Sequence, residues 1–506
     1  MKKLGVLCLL LCMVLLLQLS VVPVLATDTT DDTTAPVDTV PPQSGPAIAP
    51  QGQSVTVMDS DASITHGCNT IDAQVPLGGS QAMLKTARSA ILYELNSGTM
   101  LYSFNPDARM EPAGLVKIMT VLLALENGNL EEMVTATEDV LSTVPKTSTN
   151  IKIAVGETLS VKDLIYGSMV GSGNDACAVL AVAISGSQEA FAALMNQRAK
   201  EMGCTDTNFT NAHGLSDVNQ YSTARDMGRI LEVALQNEQF REIFGTTSYW
   251  VDENEHSDAR YLMTSNYFMS KESQIVKFFD PRVTGGRSGS VSNDDRSMSC
   301  TAKSGDLNLM SIVMGCQAEL EADGYSLHYM GNMEETADLL DWGFKFFSVN
   351  QILNSGKSAA QFPVVNGSNH VVLRPAESKE SAVPYGTTGD YLNYEYLLDN
   401  GGLSAPVQEN MNAGIVQVWY GSICLAQTDL VTMNASAVDN KPVHSGADIQ
   451  DEQAQTSGLG LFLQGLGIAF AAVVVIIILF IVLRLIRGAV IRSRRRRRRM
   501  SRRRSR

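Results

Sequence analysis

At 506 residues, 44% of them hydrophobic and 18% charged, the chain is long enough for two or more domains and apolar enough to bury a sizeable core, which excludes a wholly disordered protein. Its formal net charge of −14 hides an asymmetry: setting aside the 13 arginines between Arg484 and Arg506 and the two lysines Lys2 and Lys3 takes the remainder to −29. A body this acidic does not bind nucleic acid or another anionic polymer by simple attraction.

Residues 1–26 carry Lys2 and Lys3, an apolar run from Leu4 to Leu19 and the ending Val24-Leu25-Ala26. This is the pattern of a secretory signal peptide cut after Ala26 or, if uncut, of a membrane anchor. From Thr27 to about Gln53 the chain is rich in Thr, Asp and Pro and reads as a flexible spacer. Residues 54–85 give no structural signal, so 27–85 is taken as linker and undetermined segment, with order expected from 86. Ala87 to Tyr102 holds two strand-like runs joined by Asn96-Ser97-Gly98, a hairpin signal. From Leu115 to Leu125 nearly every residue is apolar or small, which predicts a helix wrapped by protein on most sides. Lys117 is the exception, and a lysine stripped of water there needs a partner or a depressed pKa.

Further on, two helical stretches, Val161 to Val170 and Asp175 to Ile184, flank Gly171-Ser172-Gly173-Asn174. Strands are expected at Ser297 to Ala302 and Leu307 to Gly315, and a helix at Glu334 to Phe347. From 348 to 436 the composition turns to short strands with Gly and Asn turns, a small β-domain, followed by a polar linker, 437–457. Residues 458–483 are 26 in number and uncharged, long enough to cross a bilayer, and the arginine-rich tail 484–506 is held in the cytoplasm by the positive-inside rule. The body then lies outside a cell membrane, which the chain contacts through 458–483. Outside the signal peptide six cysteines (Cys68, Cys177, Cys204, Cys300, Cys316, Cys424) show no C-x-x-C spacing, which argues against a metal site and fixes no disulfide pairing.

Pro112-Ala113-Gly114-Leu115-Val116-Lys117-Ile118-Met119-Thr120 resembles the Pro-Ala-Ser-x-x-Lys-Ile-Met-Thr of the serine D-alanyl-D-alanine carboxypeptidases, low-molecular-mass penicillin-binding proteins, with Gly114 at the nucleophile position. Ser172-Gly173-Asn174 is similar to their Ser-x-Asn; Phe209-Thr-Asn-Ala-His-Gly-Leu215 and Tyr221-Ser-Thr-Ala-Arg-Asp-Met227 match two further runs. Their Lys-Thr-Gly falls near Pro281 to Arg287, with Val283 at the lysine position and Thr284 and Gly285 retained; Asn332 stands where relatives carry a carboxylate-binding arginine. The resemblance covers roughly 86–436. It implies an α/β (α+β) penicillin-binding/β-lactamase-like domain over 86–347, in which an antiparallel sheet and helices surround a buried central helix. It further implies no metal or cofactor, a small all-β domain at 348–436, and His213 as a structural residue of a turn.

In an active relative the lysine or its relay takes the proton of the serine, which attacks the penultimate D-alanine carbonyl. Glycine has no atom for that attack, and loss of the serine costs about a million-fold in subtilisin. The expectation is a pseudoenzyme that faces peptidoglycan and binds a stem peptide or a cell-wall protein. The alternatives are an active carboxypeptidase with a displaced nucleophile such as Ser172, and a structural wall tether whose β-domain carries the function.

Overall fold

The structure, a computed structural model, describes residues 54–57 and 68–439, less 69, 74, 80–83, 272–275, 293–294, 321–326 and 400–401. The expected signal peptide, spacer, membrane segment and tail lie outside the described residues. Among the described residues no single helix is long and apolar enough to cross a membrane.

Five antiparallel strands form the main sheet: β1 (Ser89–Glu94), β2 (Thr99–Phe104), β5 (Val283–Ser292), β6 (Asp295–Ser304) and β7 (Leu307–Cys316), in the order β2-β1-β7-β6-β5. Two further strands, β3 (Ser248–Val251) and β4 (Arg260–Met263), pair as a separate hairpin. The β1–β2 turn contains Asn96-Ser97-Gly98, and Gly98 takes φ +70, a conformation open to glycine without steric cost. β1 is buried at every position because the sheet is covered on both faces. One cover is the helix Gly331–Phe346, which starts three residues before the expected Glu334.

The predicted central helix is Val116–Asn127, preceded by a short 3-10 turn, Ala113–Leu115. Its residues Val116 to Ala124 are all buried, and the seven apolar ones join one cluster with helices Val161–Met169, Asn174–Ser185 and Ala224–Ala234. Burying such side chains contributes roughly 1.5–3 kcal/mol each, which is what holds a lysine-bearing helix in a dry interior.

Order extends N-terminal of residue 86. Ile71 and Leu77 are buried, and the Arg225 guanidinium donates to the carbonyls of Ile71 and Ala73. The strand Ser54–Val57 runs parallel to Asn393–Leu398, at the edge of a six-stranded sheet built otherwise from residues 360–432. That sheet contains the strands Val371–Pro375, Asn393–Leu398, Asn412–Tyr420 and Ile423–Thr432, within the stretch expected to hold short strands. The described residues fall into two compact units. One unit takes the described residues up to Pro363 with Val371–Leu403 and Val407–Ala435, and the other takes the short stretches 364–370 and 404–406 and the described residues from 436 on. Within the first, Cys68 is disulfide-bonded to Cys424; Cys177, Cys204, Cys300 and Cys316 are free and buried.

Candidate functional site

The central helix, the loop 171–174, the turn 212–215 and strand β5 meet around a cleft of about 490 Å³. Lys117 enters from the helix only 2% exposed, and its Nζ donates to Asn174 Oδ1 at 2.7 Å and to the His213 carbonyl at 2.5 Å. Burial pushes the lysine pKa down to about 8, with the Arg287 charge acting in the same direction. A turn of helix later, Thr120 Oγ1 donates to the Ala212 carbonyl at 2.6 Å, so two side chains pin the turn to the helix. In that turn Gly214 has φ +83, and a Cβ there would stand 1.9 Å from the Ala113 oxygen, so only glycine fits. His213 Nδ1 accepts from the Leu215 amide, and burial followed by the Lys117 charge lowers its pKa to about 3. It is a neutral turn residue.

The Ser172-Gly173-Asn174 loop is fixed from behind. Asp175 accepts from the amides of Ile151, Ile153 and Ala176, and Ser172 itself sits at φ +59. These bonds set the Asn174 amide against the lysine. They leave Ser172 to a different partner.

That partner is Arg287, which sequence reasoning did not place in the site. Val283, Thr284 and Gly285 do not reach the cleft, which corrects the expected position of the third motif. Thr284 bonds Thr301 Oγ1 at 2.9 Å and lines another hollow with Leu95, Glu232 and Phe244, while Gly285 packs against the Phe244 ring. Four residues on, roughly 13 Å along the strand, Arg287-Ser288-Gly289 lines the cleft beside Gly114. The signal was present in the sequence as a second hydroxyl-glycine pair behind a basic residue. Arg282 points elsewhere, paired with Asp280 and Asp341.

Arg287 is 3% exposed, and burial lowers its pKa to about 10. Its Nε donates to the Gly114 carbonyl at 3.2 Å, Nη1 to the Met169 carbonyl at 3.0 Å, and Nη2 to Ser172 Oγ. A Cβ on Gly114 would lie 3.0 Å from the Ser288 oxygen, 3.1 Å from Gly289 Cα and 3.2 Å from Arg287 Nη2. The strand and the guanidinium therefore occupy the space next to the nucleophile position. The Cys177 thiol, near enough to Lys117 to feel its charge, is fully buried, and that burial raises its pKa, so it supplies no nucleophile.

Lys117, Arg287 and Arg296 line the cleft with Ser288, Ser290 and Tyr267, and among the described residues no carboxylate does. Asn332, 2% exposed, also lines it, with Nδ2 3.4 Å from the Ser297 carbonyl. The arrangement offers cations and hydroxyls to an anion, and an amine of depressed pKa with no hydroxyl at the position it would serve. Among the described residues no cluster of His, Cys, Asp or Glu could hold a metal.

Residues 79–318 match the family described as D-alanyl-D-alanine carboxypeptidase. The chain is 30% identical over 356 residues to the D-alanyl-D-alanine carboxypeptidase DacA of Escherichia coli (strain K12), covering 69% of this chain and 83% of that one. It is 28% identical over 348 residues to DacF of Bacillus subtilis (strain 168), covering 68% and 84%. Among solved structures, penicillin binding protein 5 from Haemophilus influenzae superposes with a TM-score of 0.55 at 29% identity, over 70% of this chain and 98% of that one.

Proposed function

We propose, from the premise that the chain belongs to the D-alanyl-D-alanine carboxypeptidase family, that it is an exported, membrane-anchored pseudoenzyme that holds a peptidoglycan stem peptide without cleaving it. The observation that carries this reading is the Arg287 guanidinium, seated against Gly114 and bonded to Ser172 Oγ. A serine nucleophile is missing at Gly114, and the hydroxyl that could substitute is occupied by a group that donates and never accepts. Ser172 therefore cannot pass its proton to the arginine. Lys117 bonds Asn174 and His213 instead of Ser172, so the amine has no hydroxyl to activate.

Binding chemistry is retained. The carboxylate end of a stem peptide meets Arg296 and the Ser288 and Ser290 hydroxyls in a cleft that no carboxylate lines among the described residues, and partial burial there strengthens charge-assisted hydrogen bonds. The apolar stretches at 1–26 and 458–483, the second followed by 13 arginines, support export and anchoring with the body outside the cell.

The test is exposure of the natural protein, Gly114→Ser and Gly114→Ser with Arg287→Lys to a fluorescent penicillin, beside calorimetry of the natural protein with a stem pentapeptide. No adduct forms on the natural protein or on the single variant, whose new Cβ is crowded; an adduct forms in the double variant. The pentapeptide binds reversibly and releases no D-alanine. A covalent adduct on the natural protein, mapped to any cleft side chain, overturns the pseudoenzyme reading. Absence of pentapeptide binding overturns the ligand.

A further inference from the structure

We infer that the outer face of the β3–β4 hairpin is a stacking platform for the sugar chain of peptidoglycan, a reading that rests on the cleft holding its stem peptide. In the register of this hairpin Trp250 stands opposite Tyr261, and Ser248 opposite Met263. Because strand side chains alternate, Tyr249, Val251 and Leu262 turn inward and Trp250, Tyr261 and Met263 outward. The inner face is fully engaged. Tyr249 stacks on Tyr166 with ring centroids 4.0 Å apart and donates to Asp163 Oδ1 at 2.8 Å, Val251 and Leu262 are buried, and Arg260 pairs with the buried Glu157. The hairpin is therefore held rigidly without any help from its outer aromatics.

Trp250 is 61% exposed and Tyr261 43%, with their rings 4.9 Å apart. This apolar strip continues into the site already described, since Met263, also 43% exposed, lines the cleft. The connecting loop carries exposed Asp252, Glu253, Glu255 and Asp258. Four carboxylates beside the aromatics repel an anionic lipid surface or a phosphate polymer. They suit a pyranose, which lays its C–H face on an aromatic ring and presents hydroxyl and amide N–H groups at its rim to carboxylates. In peptidoglycan the stem peptide is joined to just such a sugar, so a ligand fixed by its carboxylate end brings its glycan to the neighbouring surface.

The full chain, kept in detergent, is titrated with the stem pentapeptide alone and with the same peptide on its N-acetylglucosaminyl-N-acetylmuramyl disaccharide, for the natural protein and for Trp250→Ala with Tyr261→Ala. The disaccharide tightens binding by about ten-fold, equivalent to roughly 1.4 kcal/mol. The double variant loses this gain, binds the bare peptide as the natural protein does, and keeps its thermal midpoint. A peptide-free N-acetylglucosamine tetramer quenches tryptophan fluorescence in the natural protein and not in Trp250→Ala. If neither peptide ligand binds, the cleft reading fails, and the tetramer still decides the platform. Equal affinity for the two ligands together with no response to the tetramer overturns the platform. So does a self-associated species that the double variant loses while the sugar has no effect.

Discussion

Lys117 shows how burial redefines a residue when its chemical partner is gone. Its pKa lies at about 8 against an ordinary 10.5, burial being the main cause. The unfolded chain therefore binds more protons than the folded one between those values, and stability rises with pH across that window. Below about pH 8 the penalty is present in full, on the order of 3 kcal/mol for a shift of this size, and it is relieved as pH approaches 10.5. Subtracting the thermal midpoints of Lys117→Met from those of the natural protein, measured from pH 7 to 10.5, isolates this dependence from the buried cysteines and tyrosines, whose raised pKa values act in the opposite sense. The difference moves in favour of the natural protein as pH rises; a flat difference refutes the shift. Much at this scale was legible in the sequence. A lone lysine in an apolar helix had to be partnered, and Asn174, named from its motif, is a partner. Arg287 was missed because two hydroxyl-glycine pairs, Thr284-Gly285 and Ser288-Gly289, lie four residues apart, and only the strand register tells which one reaches Gly114.

Strand β5 and the turn before the central helix are in closer contact than a side chain at Gly289 permits, while a Cβ at Gly114 is crowded. A Cβ on Gly289 would lie 2.3 Å from the Gly114 amide nitrogen and 2.8 Å from its Cα. The glycine at 289 lets the strand close against the Gly114 backbone. Gly289→Ala has to push β5 from the turn or distort it, and overpacking of this kind costs roughly 1–3 kcal/mol. The variant unfolds at lower denaturant concentration with an unchanged slope, and Gly114→Ala in the same background adds a further loss because both methyls compete for one gap. An unaltered midpoint in Gly289→Ala shows that the strand stands off in solution. Period and turn chemistry were enough to locate the β1–β2 hairpin, the central helix and the two helices around Ser172. Neither could report how closely β5 approaches that turn, because the distance is set by packing between segments 173 residues apart.

Across the whole molecule, the features that sequence periodicity leaves open are the long-range closures. The strand Ser54–Val57 pairs with Asn393–Leu398, and Cys68 is bonded to Cys424 at a sequence separation of 356. Residues 54–85 carry no strong local pattern, and six cysteines allow fifteen full pairings, so both closures were invisible until the fold brought the ends together. A bridge of this kind forms in an oxidising compartment, in agreement with the proposed export. Its loss in Cys68→Ser with Cys424→Ser costs about 2–4 kcal/mol, chiefly by freeing the unfolded chain, and is read as a lower thermal midpoint. The same bridge provides a count of compartment and processing in one measurement. Cys177, Cys204, Cys300 and Cys316 are free, and Cys8 and Cys12 belong to the proposed signal peptide. Denatured without reductant and alkylated, protein from the producing cell takes four alkyl groups by intact mass if the signal peptide has been removed and the bridge has formed. Six groups together with the mass of residues 1–26 mean that the apolar N-terminus is retained as a second anchor, and six on the shortened chain mean that the bridge is absent and the body has not met an oxidising environment.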